Sequence, residues 1–334
     1  MAEALSYLKG KTVLVTGGTG SIGKALVKEI IRCEPASIRV LSRDEYKQYC
    51  FRKELGVGSP VRFLLGDIRD RERLRLAMEE VDYVFNAAAL KQVPSCEFNP
   101  FEAVKTNVLG TQLIIEVAME KSVEKVILVS TDKVVNPINT MGTTKLLAEK
   151  LMRTANFYKG PRKTVFSCVR FGNVLGTRGS VIPLFLSQLK SGKPITLTDK
   201  RMTRFVMTLD RAVHLVLKAG EKASEGETFI LKMPAIRIED IVDVLNDSYA
   251  KQAGLVAVPV QELGIREGEK LHEDLLFSHE VQYVREEEEM LVVGYNKGQE
   301  SVSREIYQSE HANYLQADSI LKLLLEIEND LEIL

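Results

Sequence analysis

Short apolar runs alternate with amphipathic runs along the first half of the chain, and this alternation constrains the fold more than any other feature. The predicted strands cover residues 12–16, 38–41, 61–65, 82–86, 125–130 and 164–170. The predicted helices between them cover residues 22–32, 45–55, 71–79, 100–120 and 141–159. Strands joined by helical crossovers form a parallel sheet with helices on both faces. The sequence therefore predicts an α/β fold, a Rossmann-type doubly wound parallel sheet that binds ligands at the carboxyl ends of its strands.

This rhythm changes after residue 175. The later predicted elements are a helix over 180–189, a strand over 194–197, a helix over 209–219, a strand over 229–232, and helices over 238–246 and 317–331. We predict that residues 1–175 form a dinucleotide-binding domain, to which residues 205–235 return. A smaller interleaved substrate domain then comprises residues 176–204 and 236–334. Apolar residues at helical spacing in the last helix favour docking on the protein or packing in an oligomer.

Composition excludes several classes of protein. The 334 residues include 45 Lys and Arg against 46 Asp and Glu, so no overall basic field exists for nucleic acid or a membrane surface. The four histidines form no H-E-x-x-H cluster, and we predict no metal site. No signal-peptide core or membrane-spanning stretch is present, and we expect a cytoplasmic protein. The cysteines are scattered without a C-x-x-C pair, which predicts reduced thiols at Cys33, Cys50, Cys96 and Cys168.

A glycine-rich segment, T-G-G-T-G-S-I-G, lies between the first predicted strand and the first predicted helix. Gly17 permits a tight turn, Gly20 lets the backbone approach a pyrophosphate, and Gly23 lets the helix pack on the strand. Free N–H groups at the helix N-terminus then bind the phosphates. The candidate cofactor-binding residues of this segment are Gly17, Thr19, Gly20, Ser21, Ile22 and Gly23.

The ends of the next strands supply further cofactor contacts. Ser42 and Arg43 suit a ribose 2′-phosphate and favour NADP, whereas Asp44 could accept hydrogen bonds from a ribose hydroxyl, which leaves NAD open. A carboxylate after the third strand fits the adenine amine, and small residues after the fourth leave room for the nicotinamide ribose. The remaining cofactor candidates are Asp67, Ile68, Ala87, Ala88, Ala89, Asn107 and Lys145.

The segment from Ser130 to Lys145 reads S-T-D-K-V-V-N-P-I-N-T-M-G-T-T-K. Together with T-G-G-T-G-S-I-G and N-A-A-A, it resembles the extended short-chain dehydrogenases/reductases. In that superfamily a tyrosine four residues before the lysine takes the proton of the alcohol. Here that position is Met141, whose thioether takes no proton, and packing beside the cofactor is the simplest role for it.

Longer motifs narrow the resemblance. They are R-F-G-N-V-L-G-T-R-G-S-V-I-P-L-F, I-T-L-T-D-K-R-M-T-R-F-V-M-T-L and R-E-G-E-K-L-H-E. With the preceding segment they resemble the UDP-N-acetylglucosamine 4,6-dehydratases of bacterial surface-polysaccharide and nonulosonic-acid pathways, over roughly residues 10 to 280. Some members of that family carry methionine at the position of Met141, which therefore marks a sub-branch. The resemblance implies a tightly bound, recycled cofactor, a UDP-N-acetylglucosamine substrate and a homo-oligomer, either a dimer or a hexamer.

The implied reaction oxidises C4 of the sugar, removes a proton from C5, expels the C6 hydroxyl as water and returns the stored hydride to C6. We predict that Asp132 is the general acid at the C6 oxygen, which requires a raised pKa, and that Lys133 is the base at C5, which requires a lowered pKa. Lys145 would hold the nicotinamide ribose, and Thr131 would hydrogen-bond the C4 oxygen. With Met141 inert, the C4 hydroxyl proton leaves through Asp132, Lys133 or a water. The Asp-Lys pair favours inversion at C5, and retention stays open.

The resemblance also implies the residues that bind the nucleotide sugar. Asn173 would contact the diphosphate and Arg204 would clamp a phosphate. The remaining candidates, for the sugar, the uracil, the ribose and the phosphates, are Lys91, Arg178, Thr198, Glu267 and Lys270. Two other functions stay open. Met141 argues against a nucleotide-sugar epimerase, and the intact Asp132 and Lys133 argue against a cofactor sensor that has lost catalysis.

Overall fold

The computed structural model of the protein describes residues 6–177, 180–298 and 302–332. Its strands are β1 (Thr12–Thr16), β2 (Ser37–Ser42), β3 (Val61–Leu65), β4 (Tyr83–Asn86), β5 (Lys125–Val129), β6 (Val165–Arg170), β7 (Asn173–Val174), β8 (Ile195–Leu197), β9 (Thr203–Met207), β10 (Thr228–Leu231), β11 (Ala235–Arg237), β12 (Val260–Glu262), β13 (Val284–Glu286) and β14 (Met290–Val293).

The predicted helices begin and end close to their expected positions, whereas the short helices over 93–98, 250–252 and 304–307 were not predicted. The helices are α1 (Ser21–Ile31), α2 (Glu45–Leu55), α3 (Arg71–Ala77), α4 (Val93–Phe98), α5 (Pro100–Ala103), α6 (Gly110–Glu120), α7 (Thr140–Tyr158), α8 (Val181–Lys190), α9 (Leu209–Lys222), α10 (Ile238–Val244), α11 (Ala250–Gln252), α12 (Arg304–Tyr307) and α13 (Ala317–Glu332). A π-helical turn, Val104–Leu109, joins α5 to α6, so the single helix predicted over 100–120 contains a change of hydrogen-bond pattern.

The main sheet has the strand order β13-β14-β10-β6-β5-β4-β1-β2-β3. The pairs from β3 to β10 are parallel, while β14 pairs antiparallel with β10 and β13 antiparallel with β14. The predicted Rossmann-type parallel sheet is therefore confirmed. The strand order reverses between β1 and β4, and this switch point is where such sheets bind their ligands.

Helices cover both faces of the sheet, and strand β1 shows why. Val13 and Val15 are buried in the core that contains α1 and α9, whereas Leu14 is buried in the core that contains α3, α6 and α7. Successive strand side chains point to opposite faces, so a strand buried on both sides is apolar at every position. This explains the uninterrupted apolar run T-V-L-V-T.

A second, smaller core lies beside the main sheet. It contains residues of β8, β9 and β11, packed with α8, α10 and α13. Strand β9 is the centre of a three-stranded sheet, β11-β9-β7, and β8 pairs parallel with the exposed β12. Ile320, Leu324 and Ile327 of α13 are buried in this core, which accounts for the apolar spacing of that helix. The sequence pattern did not predict β9, β13 or β14. The last two strands extend the main sheet although they lie in the predicted substrate domain, whose boundaries stay a prediction.

Candidate active site

The glycine-rich turn between β1 and α1 leaves no room for side chains. Gly17 has a φ of +65°, and a Cβ at this residue would lie 2.8 Å from the carbonyl oxygen of Ala87. A Cβ at Gly23 would lie 2.4 Å from the carbonyl oxygen of Gly17. Gly20 precedes α1, and no side chain caps that helix. Because its first N–H groups have no capping side chain, the turn fits an anion such as a pyrophosphate.

The end of β4 lies directly against this turn. The hydroxyl of Thr16 donates to Asn86 Oδ1 at 2.7 Å, and Ala88 N donates to the same hydroxyl at 3.4 Å. The close approach of Gly17 to the backbone of Ala87 shows that the two segments touch. The structure thus brings together the two predicted cofactor segments 17–23 and 87–89.

The ends of β2 and β3 form a small polar group. The hydroxyl of Ser42 accepts a hydrogen bond from Gln48 Nε2 at 3.0 Å. Arg43 is exposed over 53% of its side chain, with its guanidinium 3.5 Å from Asp67 Oδ2. Asp67 also accepts from Arg69 Nε at 2.9 Å, and although burial acts to raise the pKa of Asp67, the hydrogen bonds from Arg69 lower it overall. Asp67 is therefore a charged acceptor beside Arg43.

Two other cofactor candidates have their side chains engaged within the protein. Ile68 is buried, and its Cδ1 would lie 2.7 Å from a Cβ at Gly110. Asn107 lies in the π-helical turn, where Oδ1 accepts from Leu90 N at 2.9 Å and Nδ2 donates to Thr144 Oγ1 at 3.0 Å. Asn107 thus fixes the loop after β4 to helix α7.

The turn after β5 carries the predicted acid and base. Thr131 precedes a 3₁₀ turn, Asp132–Val134, and its hydroxyl donates to Asp132 Oδ1 at 2.9 Å. Lys133 Nζ donates to the same oxygen at 2.9 Å. Asp132 is fully buried, and its Oδ2 has no hydrogen-bond partner among the residues that the structure describes. The Asp132 carboxylate and the Lys133 ammonium therefore form a direct ion pair through Oδ1, while Oδ2 of Asp132 accepts no hydrogen bond from the described residues.

A second carboxylate, Glu273, faces the same ammonium. Its Oε1 lies 3.2 Å from Lys133 Nζ, and the residue is 2% exposed. Its Oε2 has no hydrogen-bond partner within the described part of the chain, and Lys270 Nζ lies 3.8 Å from it. The sequence patterns did not single out Glu273, although it is the last residue of the motif R-E-G-E-K-L-H-E. That motif was the one signal in the sequence that could have indicated it.

The two carboxylates determine the charge of Lys133. Burial acts to lower the pKa of Lys133, but the charges of Asp132 and Glu273 raise it by more, and the pKa lies above its usual value. The lowered pKa that we expected for a base at this position is therefore not observed. Lys145 behaves differently, since burial lowers its pKa to about 8 while its Nζ donates to the carbonyl of Val129 at 2.6 Å.

The start of α7 packs against this turn. Asn139 caps the helix by accepting from Gly142 N at 2.7 Å, and a Cβ at Gly142 would lie 2.2 Å from the carbonyl oxygen of Lys133. Met141 is buried in a small apolar cluster with Cys96 and Ala103. Its position four residues before Lys145 places both on one face of α7. Met141 thus occupies the expected place of the tyrosine and packs as a core residue.

The segment 266–273 lies over the Asp132 turn. Lys270 Nζ donates to the carbonyl of Val135 at 2.5 Å, and Asn139 Nδ2 donates to the carbonyl of Gly268 at 2.8 Å. Arg204, on β9, donates to the carbonyls of Leu271 at 2.9 Å and Lys270 at 2.8 Å. Two hydrogen bonds of Arg204 therefore hold this segment, and a phosphate clamp would compete with them.

The other substrate candidates lie at the ends of strands or in loops. Asn173 begins β7 and is partly buried, Thr198 follows β8, and Lys91 follows β4. Glu267 is exposed in the same segment as Lys270. Arg178 lies outside the described residues. The contacts given above join Thr131, Asp132 and Lys133, through Glu273, to Lys270 and Arg204. Met141 and Lys145 lie on α7, whose first turn packs against the Asp132 turn.

A buried ionic group centred on Arg170 connects the elements that carry the site. Arg170, at the end of β6, is 1% exposed and donates to Glu149 Oε2 on α7 at 2.7 Å and to Glu280 Oε2 at 2.8 Å. It also donates to the carbonyl of Leu275 at 2.8 Å. Arg170 therefore ties β6 and α7 to the segment that follows Glu273.

A family model described as polysaccharide biosynthesis protein matches residues 13–294. The chain belongs to this family. A family relative from Methanocaldococcus jannaschii, named uncharacterized membrane protein MJ1061, is 51% identical over 325 residues, which cover 96% of this chain and 97% of the relative. The UDP-glucose 4-epimerase of Rickettsia conorii is 44% identical over 276 residues, covering 81% and 79%. Among the described residues, no helix is both long and apolar enough to cross a membrane.

Two solved structures have folds similar to that of this chain. Pen from Bacillus thuringiensis superposes with a TM-score of 0.91 at 41% identity, covering 96% of this chain and 98% of Pen. The dTDP-glucose 4,6-dehydratase DesIV from Streptomyces venezuelae superposes with a TM-score of 0.69 at 21% identity, covering 96% and 97%, which shows a shared fold. Together with the site geometry, the family places the chain among the short-chain dehydrogenases/reductases of the nucleotide-sugar epimerase and dehydratase type.

Proposed function

We propose that the protein is a UDP-N-acetylglucosamine 4,6-dehydratase that forms a UDP-4-keto-6-deoxy-N-acetylhexosamine. The observation that carries this proposal is the contact of 2.9 Å between Lys133 and the buried carboxylate of Asp132 at the carboxyl end of β5. Elimination of water needs an acid and a base side by side, beyond the groups that an alcohol oxidation needs. A 4-epimerase has no step that uses an acid at C6.

The glycine turn and the strand ends support a dinucleotide cofactor, and we infer NADP. The crowding at Gly17 and Gly23 means that the tight turn and its packing against α1 and the loop after β4 require glycine, as in a dinucleotide-binding turn. The half-exposed Arg43 is a partner for a 2′-phosphate, whereas Asp44 would serve the ribose hydroxyl of NAD. When bound, the nicotinamide supplies reversible removal of hydrogen with its electron pair, taken from C4 and given back at C6. The cofactor is identified by mass spectrometry of the nucleotide released from heat-denatured protein.

The Asp132–Lys133 pair already holds the protons that the elimination needs. Transfer of one proton from Lys133 Nζ to Asp132, across 2.9 Å, converts the ion pair into a carboxylic acid and a neutral amine. Asp132 then protonates the departing C6 oxygen, and Lys133 removes the proton from C5. Thr131, whose hydroxyl contacts Asp132, is placed to hydrogen-bond the C4 oxygen. Return of the C5 proton to the opposite face would invert C5.

A second candidate, a nucleotide-sugar 4-epimerase, is favoured by the names of the Rickettsia relatives. Epimerisation at C4 needs a group that takes and returns the hydroxyl proton at that carbon. Met141 cannot serve in this way, because it is a buried thioether in an apolar cluster. The dehydratase also has to remove this proton without Met141, so the C4 proton does not separate the two reactions. An acid at C6, the predicted role of Asp132, has a function only in the dehydratase, which is why we favour the dehydratase.

Proton NMR of the protein with UDP-N-acetylglucosamine in D₂O, without added cofactor, distinguishes the two functions. A new C6 methyl signal that lacks coupling to a C5 proton supports the dehydratase, and Lys133→Met should abolish it. Ring couplings after the reaction in H₂O report the configuration at C5. Signals of the C4 epimer alone would support the epimerase. Unchanged sugar signals, even with added NAD or NADP, would show that the proposal is wrong for this substrate.

A further inference from the structure

The dehydratase reaction poses a proton-counting problem in this protein. Before water leaves, the sugar gives up two protons, one from the C4 hydroxyl and one from C5. An amine such as Lys133 accepts one proton at a time. Met141, which occupies the tyrosine position, accepts none. Asp132 has to keep its own proton for the C6 oxygen, so the site needs one more acceptor.

We propose that Glu273 is this acceptor, a residue that takes from Lys133 the proton that left the C4 hydroxyl. Lys133 is then neutral again when the C5 proton must be removed. Glu273 acts through Lys133, and it is therefore a positioning residue that resets the charge of the base. This inference rests on the proposed function.

The geometry places Glu273 for this transfer. Lys133 Nζ lies between Asp132 Oδ1 at 2.9 Å and Glu273 Oε1 at 3.2 Å, so a proton can pass to either carboxylate without a bridging group. Glu273 is held by its backbone, because its N–H donates to Ser309 Oγ at 2.8 Å and Ser309 Oγ lies 2.8 Å from Thr203 Oγ1. The segment that carries Glu273 is thus fixed against β9.

Burial gives Glu273 a reason to accept the proton. The residue is 2% exposed, and its Oε2 has no hydrogen-bond partner among the residues described. A buried charged carboxylate that lacks hydrogen bonds is costly, and protonation removes that cost. Once Lys133 has given up its charge, Glu273 has lost its nearer cation, at 3.2 Å, and keeps Lys270 at 3.8 Å, so the charged carboxylate is less well compensated than before.

The other polar groups around Lys133 cannot take this proton. Arg204, which acts on Lys133 through its positive charge, and Lys270, beside Glu273 Oε2, are cations. His272 has its Nδ1 within 2.9 Å of Thr203 Oγ1 and so serves a different residue. Of the described side chains in direct contact with Lys133 Nζ, only the two carboxylates remain, and Asp132 is the acid.

The protons balance over the cycle. Asp132 gives its proton to the C6 oxygen, which leaves as water when the C5–C6 double bond forms. Lys133 returns the C5 proton to C5 after the hydrogen with its electron pair has gone back to C6. The proton held by Glu273 then passes through Lys133 to Asp132. All three residues end as they began, and the proton from the C4 hydroxyl replaces the one lost in water.

The test compares two reactions in Glu273→Gln. Conversion of UDP-N-acetylglucosamine requires two protons to be accepted and should fall at least about 100-fold, the usual contribution of a proton-transfer group. Exchange of the C5 proton of the isolated 4-keto product in D₂O requires only one and should stay within about threefold of wild type. Glu273→Asp should recover part of the conversion. Glu269→Gln makes the same charge change in the same segment, where Glu269 faces Arg266, and should behave as wild type.

A measurement independent of turnover follows the charge of Lys133. NMR of ¹³Cε-labelled lysine, with Lys133→Met to assign the signal, should show a lower pKa for Lys133 in Glu273→Gln, because a carboxylate that raises the pKa has been removed. An unchanged pKa would mean that the contact does not exist in solution and would overturn the inference.

The remaining outcomes are equally decisive. If conversion and exchange fall together in Glu273→Gln, the residue only holds Lys133 in place, and the inference is wrong. It is also wrong if conversion does not fall. If Glu273→Gln does not fold, Glu273→Asp should slow conversion more than exchange, and equal slowing contradicts the inference. Failure of the wild-type protein to form any keto sugar refutes the proposed function itself, and the inference with it.

Discussion

Substitution of Gly142 by alanine should damage the site far more than the fold. Gly142 lies in the first turn of α7, and a Cβ there would be 2.2 Å from the carbonyl oxygen of Lys133 and 3.2 Å from Asn139 Oδ1. The first of these contacts is with the backbone and cannot be relieved by a rotamer change. Ordinary van der Waals separation requires the helix and the Asp132 turn to move apart by about 1 Å.

The expected loss of stability and the expected loss of activity in Gly142→Ala differ in size. Alanine is favoured over glycine in a helix by about 1 kcal/mol, whereas overpacking costs about 1–3 kcal/mol. The net loss in the free energy of unfolding is therefore at most about 2 kcal/mol. A displacement of about 1 Å at catalytic groups costs roughly 100-fold in rate, or about 2.7 kcal/mol in the activation free energy. The loss of activity should thus exceed the loss of stability.

Conversion of UDP-N-acetylglucosamine followed by NMR, together with urea unfolding, measures both quantities on the same preparation. Gly294→Ala is the matched control, because a Cβ at Gly294 meets no heavy atom within 4 Å, and it should change neither. If Gly142→Ala kept kcat/KM within about threefold of wild type, the packing of α7 on the Asp132 turn would not control the site, and the reasoning would be refuted.

Three further predictions concern buried residues. Met141→Leu should keep activity within about threefold, while Met141→Ala should lose about 2–5 kcal/mol of unfolding free energy in urea; a large loss of activity in Met141→Leu would assign chemistry to the thioether. Arg170→Leu leaves Glu149 and Glu280 without their buried partner and should cost about 3–5 kcal/mol by urea unfolding, and a cost near zero would contradict the role of this ionic group. Burial lowers the pKa of Lys145 from 10.5 to about 8, so between these values the unfolded chain binds more protons than the folded one, and the free energy of unfolding should rise with pH. Lys145→Met should remove that rise in denaturation measured from pH 8 to 10.5, and an identical slope in both proteins would contradict the pKa shift.

The local features of the site were predictable from sequence. The glycine turn lies between β1 and α1 as expected, because the residues that make the turn are neighbours in the chain and their conformational freedom is local. Asp132 and Lys133 follow β5 as the apolar run indicates. Their placement at the edge of the sheet follows from parallel topology alone.

Other features depended on distant parts of the chain. Strand β14 joins the main sheet by pairing with β10, and β13 extends the sheet by pairing with β14, although both strands are short and follow a long irregular region. Short apolar runs of this kind have no periodicity that specifies their partner. The predicted interleaving of two domains stays a prediction, and it did not include the return of these strands to the main sheet.

The sequence by itself determined the strand–helix alternation of the doubly wound sheet, the glycine-rich turn after β1 and the position of Asp132 and Lys133 after β5, because each depends on residues that are close together in the chain. Only the tertiary structure brought Glu273 to 3.2 Å from Lys133, and only it raised the pKa of Lys133 where a lowered value was expected. Desolvation and Coulomb interactions depend on distance and burial, and neither can be read from residue order. The residue types therefore indicate the chemistry, whereas tertiary packing decides which charged groups come into contact and how their pKa values shift.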